Sequence, residues 1–123
     1  MTGNITELLV CTKCNMGQPV QDGVARAGTQ LHDALTRSDL PEGIVLKPVE
    51  CFSNCPRGCS IVLRGGADKW TFVYGNLSVD LVEILVDGAS RYHSAADGLV
   101  PWRERPEHFR KNCISRIPPI GDL

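Results

Sequence analysis

The grouping of the cysteines constrains this 123-residue chain more than any other feature of its sequence. Three of the six stand four residues apart in the stretch VECFSNCPRGCSIVL, at Cys51, Cys55 and Cys59, and a pair stands at Cys11 and Cys14. Each group comes at the end of a short apolar run, TELLVC or IVLKPVE, that has the composition of a β-strand. The fold must therefore accommodate two clusters of thiols, each at a strand end.

The remaining pattern predicts an α/β (α+β) domain. A helix is expected from about Gly28, with Leu31 and Leu35 on its buried side, and it ends before the breakers in SDLPEG. The runs SIVLRG and KWTFVYG predict a hairpin across GGAD, and Ser78 is expected to cap a second helix that continues to about Ser94. In the order β-α-β-β-β-α, the first β-α-β unit predicts a parallel pair of strands with a right-handed crossover. This order predicts a thioredoxin-like mixed β-sheet with helices packed on it.

The composition changes near the end of the chain, which divides it into residues 1–96 and residues 97–123. The second part is basic and rich in proline, and its prolines argue against a long helix. We expect a C-terminal arm that packs Trp102 and Phe109 on the sheet or docks beside it, with an acidic partner as the alternative use of its arginines.

Charge and hydropathy limit the class of protein. With 13 Lys and Arg against 14 Asp and Glu, the chain has no general attraction for nucleic acid or an anionic membrane. No apolar run is long enough to span a bilayer, and the N-terminus lacks the basic start of a signal peptide. We therefore expect a cytoplasmic protein, in which clustered thiols indicate metal binding or redox chemistry rather than a disulfide framework.

Parallel, adjacent first and second strands would bring Cys11, Cys14, Cys51 and Cys55 to the same edge of the sheet. Four thiols there suit a tetrahedral zinc or an iron–sulfur cluster, and the two-residue spacing of Cys11 and Cys14 fits a redox dithiol equally well. Cys59 is expected to be a small buried core residue, with a second interpretation as an alternative ligand. The three histidines lie far apart in the sequence, and we expect structural roles for them.

The chain resembles the thioredoxin-like [2Fe–2S] ferredoxins in its cysteine pair after the first strand and its C-x3-C element, CFSNC, after the second. It is most similar to a group of small bacterial predicted metal-binding, ferredoxin-like proteins, through VCTKC, RAGTQLHDAL, VECFSNCPRGCSIVL, YGNLS and PWRERPEHFRK. The resemblance implies one cluster on Cys11, Cys14, Cys51 and Cys55, redox partner proteins, and a connection with cobalamin or cobalt metabolism. Dimers are common among such ferredoxins, so a homodimer is one option.

The leading hypothesis is an electron carrier that makes no bond in a substrate and is not an enzyme by itself. The second is a protein that binds zinc or cobalt on the same thiols for stability, storage or delivery. The third is a thioredoxin-like dithiol oxidoreductase that uses Cys11 and Cys14, and it gives Cys51 and Cys55 no role.

Overall fold

The computed structural model describes residues 5–13, 23–50 and 59–120. Within these ranges the strands and helices, in chain order, are β1 (Thr6–Cys11), α1 (Ala27–Thr36), β2 (Ile44–Val49), β3 (Ile61–Arg64), β4 (Thr71–Tyr74), α2 (Val82–Ser94), α3 (Glu107–Lys111) and β5 (Cys113–Ile117). Short 3-10 turns, Val79–Leu81 and Trp102–Glu104, precede α2 and α3. The first four strands and the first two helices are those that the sequence predicts.

In the described part of the chain, five strands form one sheet in the order β2-β1-β3-β4-β5. β1 and β2 are parallel, whereas the β1–β3, β3–β4 and β4–β5 pairs are antiparallel. The predicted parallel pair and hairpin are both confirmed. β2 lies at one edge of the sheet, as the proline in its sequence predicts, since Pro48 has no N–H to donate to a second neighbour.

Successive side chains along each strand lie on opposite faces of the sheet. Leu8 lies opposite Leu63 and Val10 opposite Ile61, and all four are fully buried in the cluster that also contains the apolar residues of the helices. On the other face Glu7 bridges two neighbouring strands, with its carboxylate 2.6 Å from Lys47 and 2.6 Å from Arg64. The core therefore lies between the sheet and its helices, as the two-residue period of the strands requires.

The start of α2 differs from the expectation. Ser78 precedes the 3-10 turn rather than the α-helix, and its side chain makes no capping hydrogen bond. The end of α2 is held by the buried Lys69, whose ammonium donates to the carbonyl oxygens of Tyr92 at 3.2 Å and His93 at 2.9 Å. These carbonyls lie in the last turn, where a cation is favourable because of the helix dipole, and Tyr92 O also accepts from the Ala95 N–H at 3.1 Å.

The C-terminal segment contributes two elements that the sequence analysis did not predict. β5 pairs with β4 and completes the sheet, with Phe72 opposite Arg116 and Tyr74 opposite Cys113. Phe109 of α3 is buried against the core. Trp102, which the sequence analysis expected to pack on the sheet, is 59% exposed. No helix in the described ranges is both long enough and apolar enough to cross a membrane.

Candidate metal centre

The carboxyl ends of β1 and β2 lie side by side at one end of the sheet. Cys11 is the last residue of β1 and lies opposite Val49, the last residue of β2. Beyond them the backbone N–H of Thr12 donates to Val49 O at 2.8 Å and that of Lys13 donates to Glu50 O at 3.1 Å. The segments that continue to Cys14 and to Cys51 therefore leave the sheet side by side. Cys14, Cys51 and Cys55 themselves lie outside the described residues.

Cys11 is buried at this edge, with only 4% of its surface exposed. Its sulfur lies 3.4 Å from Glu50 O, to which the thiol donates, and its backbone N–H donates to Ser60 O at 3.2 Å. The sulfur is thus directed toward the end of β2, one residue before Cys51. Among the predicted ligands, Cys11 is the one that the described structure places.

Cys59 lies at the same end of the sheet, immediately before Ser60 and β3. It is fully buried in the apolar core, and its backbone exchanges two hydrogen bonds with Leu77, at 3.2 and 3.1 Å. This is the environment expected of a small core residue. The position at the site end of β3 is also compatible with the alternative that Cys59 is a ligand.

The first turn of α1 packs directly on the residues that end β1. A side chain at Gly28 would overlap the carbonyl oxygen of Cys11 and come within 3.0 Å of its carbonyl carbon. Thr29 Oγ1 donates to Thr12 O at 2.9 Å, and Arg26 Nη1 donates to Lys13 O at 3.2 Å. Sequence analysis missed these contacts, although a glycine in the first turn of a helix is the signal of such a close approach.

Two of the three histidines, His93 and His108, make hydrogen bonds to other parts of the fold. His93 Nδ1 lies 2.8 Å from the buried Thr6 hydroxyl, and His108 Nε2 lies 3.1 Å from Gly75 O. Burial of the ring, and then the nearby charge of Lys69, lower the pKa of His93. Over residues 5–13, 23–50 and 59–120, no three His, Cys, Asp or Glu side chains converge as metal ligands.

Cys113 stands apart from the other described cysteines, at the start of the edge strand β5, and is exposed. Although the residue is exposed, desolvation of the thiol raises the pKa of Cys113, and the charges of Arg105 and Arg116 oppose that shift. A thiol with a raised pKa is a poorer nucleophile and metal ligand at neutral pH, because the thiolate is the reactive form.

A family model described as a protein of unknown function (DUF1636) matches residues 8–119. A search of the curated proteins finds no match. Among solved structures, the chain is similar to a thioredoxin-like [2Fe–2S] ferredoxin from Aquifex aeolicus, with a TM-score of 0.57 and 16% identity over 95% of this chain and 96% of that one. The wild-type Aquifex aeolicus ferredoxin at 1.5 Å resolution gives a TM-score of 0.55 and 15% identity over 90% of this chain and 97% of the other. The fold is thioredoxin-like, as the sequence predicts.

Proposed function

From the premise that this chain belongs to the DUF1636 family, we propose that it is a small iron–sulfur protein that carries electrons on one [2Fe–2S] cluster. The observation that carries the proposal is the pairing of Thr12 with Val49 and of Lys13 with Glu50, beyond the ends of two parallel strands. That pairing supports a shared site, because Lys13 precedes Cys14 and Glu50 precedes Cys51 in the chain. The solved structures that share the fold are described as [2Fe–2S] ferredoxins.

The donor set fits such a cluster. A [2Fe–2S] centre with all-cysteine ligation requires four thiolates, and the proposed ligands are Cys11, Cys14, Cys51 and Cys55. The sulfur of Cys11 lies at the strand end beside Glu50, which precedes Cys51 in the chain. When bound, the cluster would supply one-electron redox chemistry. The chain would hold it, limit its exposure to water, and exchange electrons with partner proteins.

The second candidate is zinc or cobalt binding by the same thiols. The geometry at the strand ends supports it as well, because four cysteine sulfurs also suit a tetrahedral ion. A dithiol oxidoreductase fits less well. The thiol pKa of such an enzyme is lowered by a helix that begins at its cysteine pair, whereas the sequence NMGQP that follows Cys14 contains the helix breakers Gly17 and Pro19.

Anaerobic purification, followed by a visible spectrum and counts of iron, zinc and acid-labile sulfide per chain, tests the proposal. We expect a red-brown protein with two irons and two sulfides per cluster. Replacement of Cys55 by alanine should lower the iron content. The Cys113→Ala variant is the matched control, since Cys113 is exposed on β5.

Each other result has a defined meaning. A colourless protein with one zinc per chain would replace the electron carrier by a metal-binding function. A protein that contains no iron, sulfide or zinc and does not bind added Co²⁺ would overturn both, and a measured reduction potential of Cys11 and Cys14 would then test the dithiol. Unchanged iron in the Cys55→Ala variant would remove Cys55 from the ligand set.

A further inference from the structure

We infer that the first turn of α1 is a positioning element for the proposed metal centre, in which Thr29, with Gly28, fixes the backbone of Cys11 and of the two residues that follow it. The inference rests on the proposed function and adds residues to its site that are not ligands. It concerns the segment 11–13, which comprises the last residue of β1 and the two residues that follow it.

The N–H groups of this segment are all bound by strand ends. Cys11 N donates to Ser60 O, Thr12 N to Val49 O and Lys13 N to Glu50 O, at 2.8–3.2 Å. These bonds come from two directions, β2 and the start of β3. Residues just past a strand usually fray because their backbone groups turn to water, and here the backbone N–H groups are held by protein instead.

The carbonyl groups of Thr12 and Lys13 accept hydrogen bonds from α1 and from Arg26, its N-cap residue. Thr29 Oγ1 donates to Thr12 O at 2.9 Å in a partly buried position, and Arg26 Nη1 donates to Lys13 O at 3.2 Å. Both bonds require the helix to lie against the strand end. Gly28 makes that approach feasible, because any Cβ at this position would overlap Cys11 O.

The segment is thereby fixed from three sides: β2, the start of β3, and α1. Metal ligands bind best when their backbone is already held in the binding geometry, since no ordering is then required on loading. Thr29 is the position at which this role can be separated from packing. Its hydroxyl can be removed without a change of shape by substitution with valine.

The test compares Thr29→Val with Thr36→Val. Thr36 lies in the same helix and also donates a side-chain hydrogen bond, to His32 O at 2.9 Å, but at an exposed position in the last turn. Thr29→Ser keeps a hydroxyl and serves as the conservative variant. Each purified protein is challenged with a chelator while its visible absorption and visible circular dichroism are followed, and its urea unfolding midpoint is measured separately. The metal-free proteins are titrated with Co²⁺.

We expect Thr29→Val to lose the cluster absorption about fivefold faster than wild type and to bind Co²⁺ about fivefold more weakly, the factor that one net hydrogen bond represents. Thr36→Val and Thr29→Ser should stay within twofold of wild type. A wild-type rate and affinity for Thr29→Val would overturn the inference and leave the proposed function intact. So would a loss in Thr36→Val equal to that in Thr29→Val. A wild-type protein that takes up neither cluster nor Co²⁺ would overturn the proposed function, and the inference with it.

Discussion

The rings of Tyr74 on β4 and Phe109 on α3 stack with their centroids 4.1 Å apart. Both residues are buried, and Tyr74 also stacks on Phe72 at 5.9 Å. The contact joins the central sheet to a segment that follows α2 by more than a dozen residues. The C-terminal residues from Phe109 to β5 are therefore part of the core and the sheet.

Substitution of Phe109 by alanine tests how much this contact contributes. We expect the free energy of unfolding to fall by about 3–5 kcal/mol, the usual effect of removing a buried phenylalanine ring. The measurement is urea unfolding followed by far-ultraviolet circular dichroism. Trp102→Ala is the control, because that ring is mostly exposed. Its loss should stay below about 1 kcal/mol, even though the Arg105 guanidinium lies over the ring. Equal losses of stability in the two variants would contradict the conclusion that Phe109 is part of the core and Trp102 is not.

Gly28 in α1 and Gly88 in α2 allow a steric clash at the proposed site to be compared with a clash in the core. A Cβ on Gly28 would meet the backbone of Cys11, whereas a Cβ on Gly88 would meet the ring of Phe109. We expect Gly28→Ala and Gly88→Ala each to lose about 1–3 kcal/mol of stability, the cost of overpacking. Iron content per chain should fall in the Gly28→Ala protein alone, since its clash displaces the strand end. Full iron in Gly28→Ala would contradict the prediction.

Both tyrosines of the chain are buried, so neither should ionise at its usual pH. Burial raises the pKa of Tyr92 to about 12, and it raises the pKa of Tyr74 further. The Tyr92 hydroxyl also donates to Trp70 O at 2.6 Å. We expect the ultraviolet difference absorption of tyrosinate to stay near zero in the folded protein at pH 10, where a free tyrosine is half ionised.

The same pKa shift predicts how stability depends on pH. The unfolded state loses its tyrosine protons near pH 10 and the folded state only near pH 12 for Tyr92, so the folded state binds more protons between these values. Stability must therefore fall as the pH rises through this window. Urea midpoints at several pH values between 9 and 12 measure the slope, and Tyr92→Phe should make it shallower. A slope that is identical in the variant would rule out Tyr92 as the cause.

The sequence predicted the elements whose pattern is local. β1, β2 and the hairpin are short apolar runs bounded by turn residues, and α1 and α2 have apolar residues at helical spacing. Pro48 predicted that the end of β2 lies at an edge or a bend of the sheet, because proline cannot donate to a further strand. The parallel pairing of β1 with β2, on which the site depends, followed from the helical connection between the two strands.

β5 could not be predicted in the same way. Its sequence, CISRI, is brief and mostly exposed, and it lies between proline-rich segments. It is a strand because β4 offers an edge, which is a tertiary cause. The contacts of Gly28 and Thr29 with the end of β1 were missed for a similar reason, since they depend on where the crossover places α1 over the sheet.

Alanine substitutions at two buried cysteines, Cys11 and Cys59, test which of them is a ligand. Cys11 and Cys59 are both in the core at the same end of the sheet. The thiol of Cys11 donates to Glu50 O, one residue before Cys51 in the chain, whereas the Cys59 backbone is paired with Leu77. We expect Cys11→Ala to abolish cluster loading. Cys59→Ala should keep the iron and sulfide content of wild type, with a loss of about 1 kcal/mol of stability for a small core side chain. Iron and sulfide counts after anaerobic reconstitution of both variants make the comparison, and urea unfolding checks that each is folded. If Cys59→Ala failed to load while remaining folded, Cys59 would be a ligand and one of the four proposed cysteines would not.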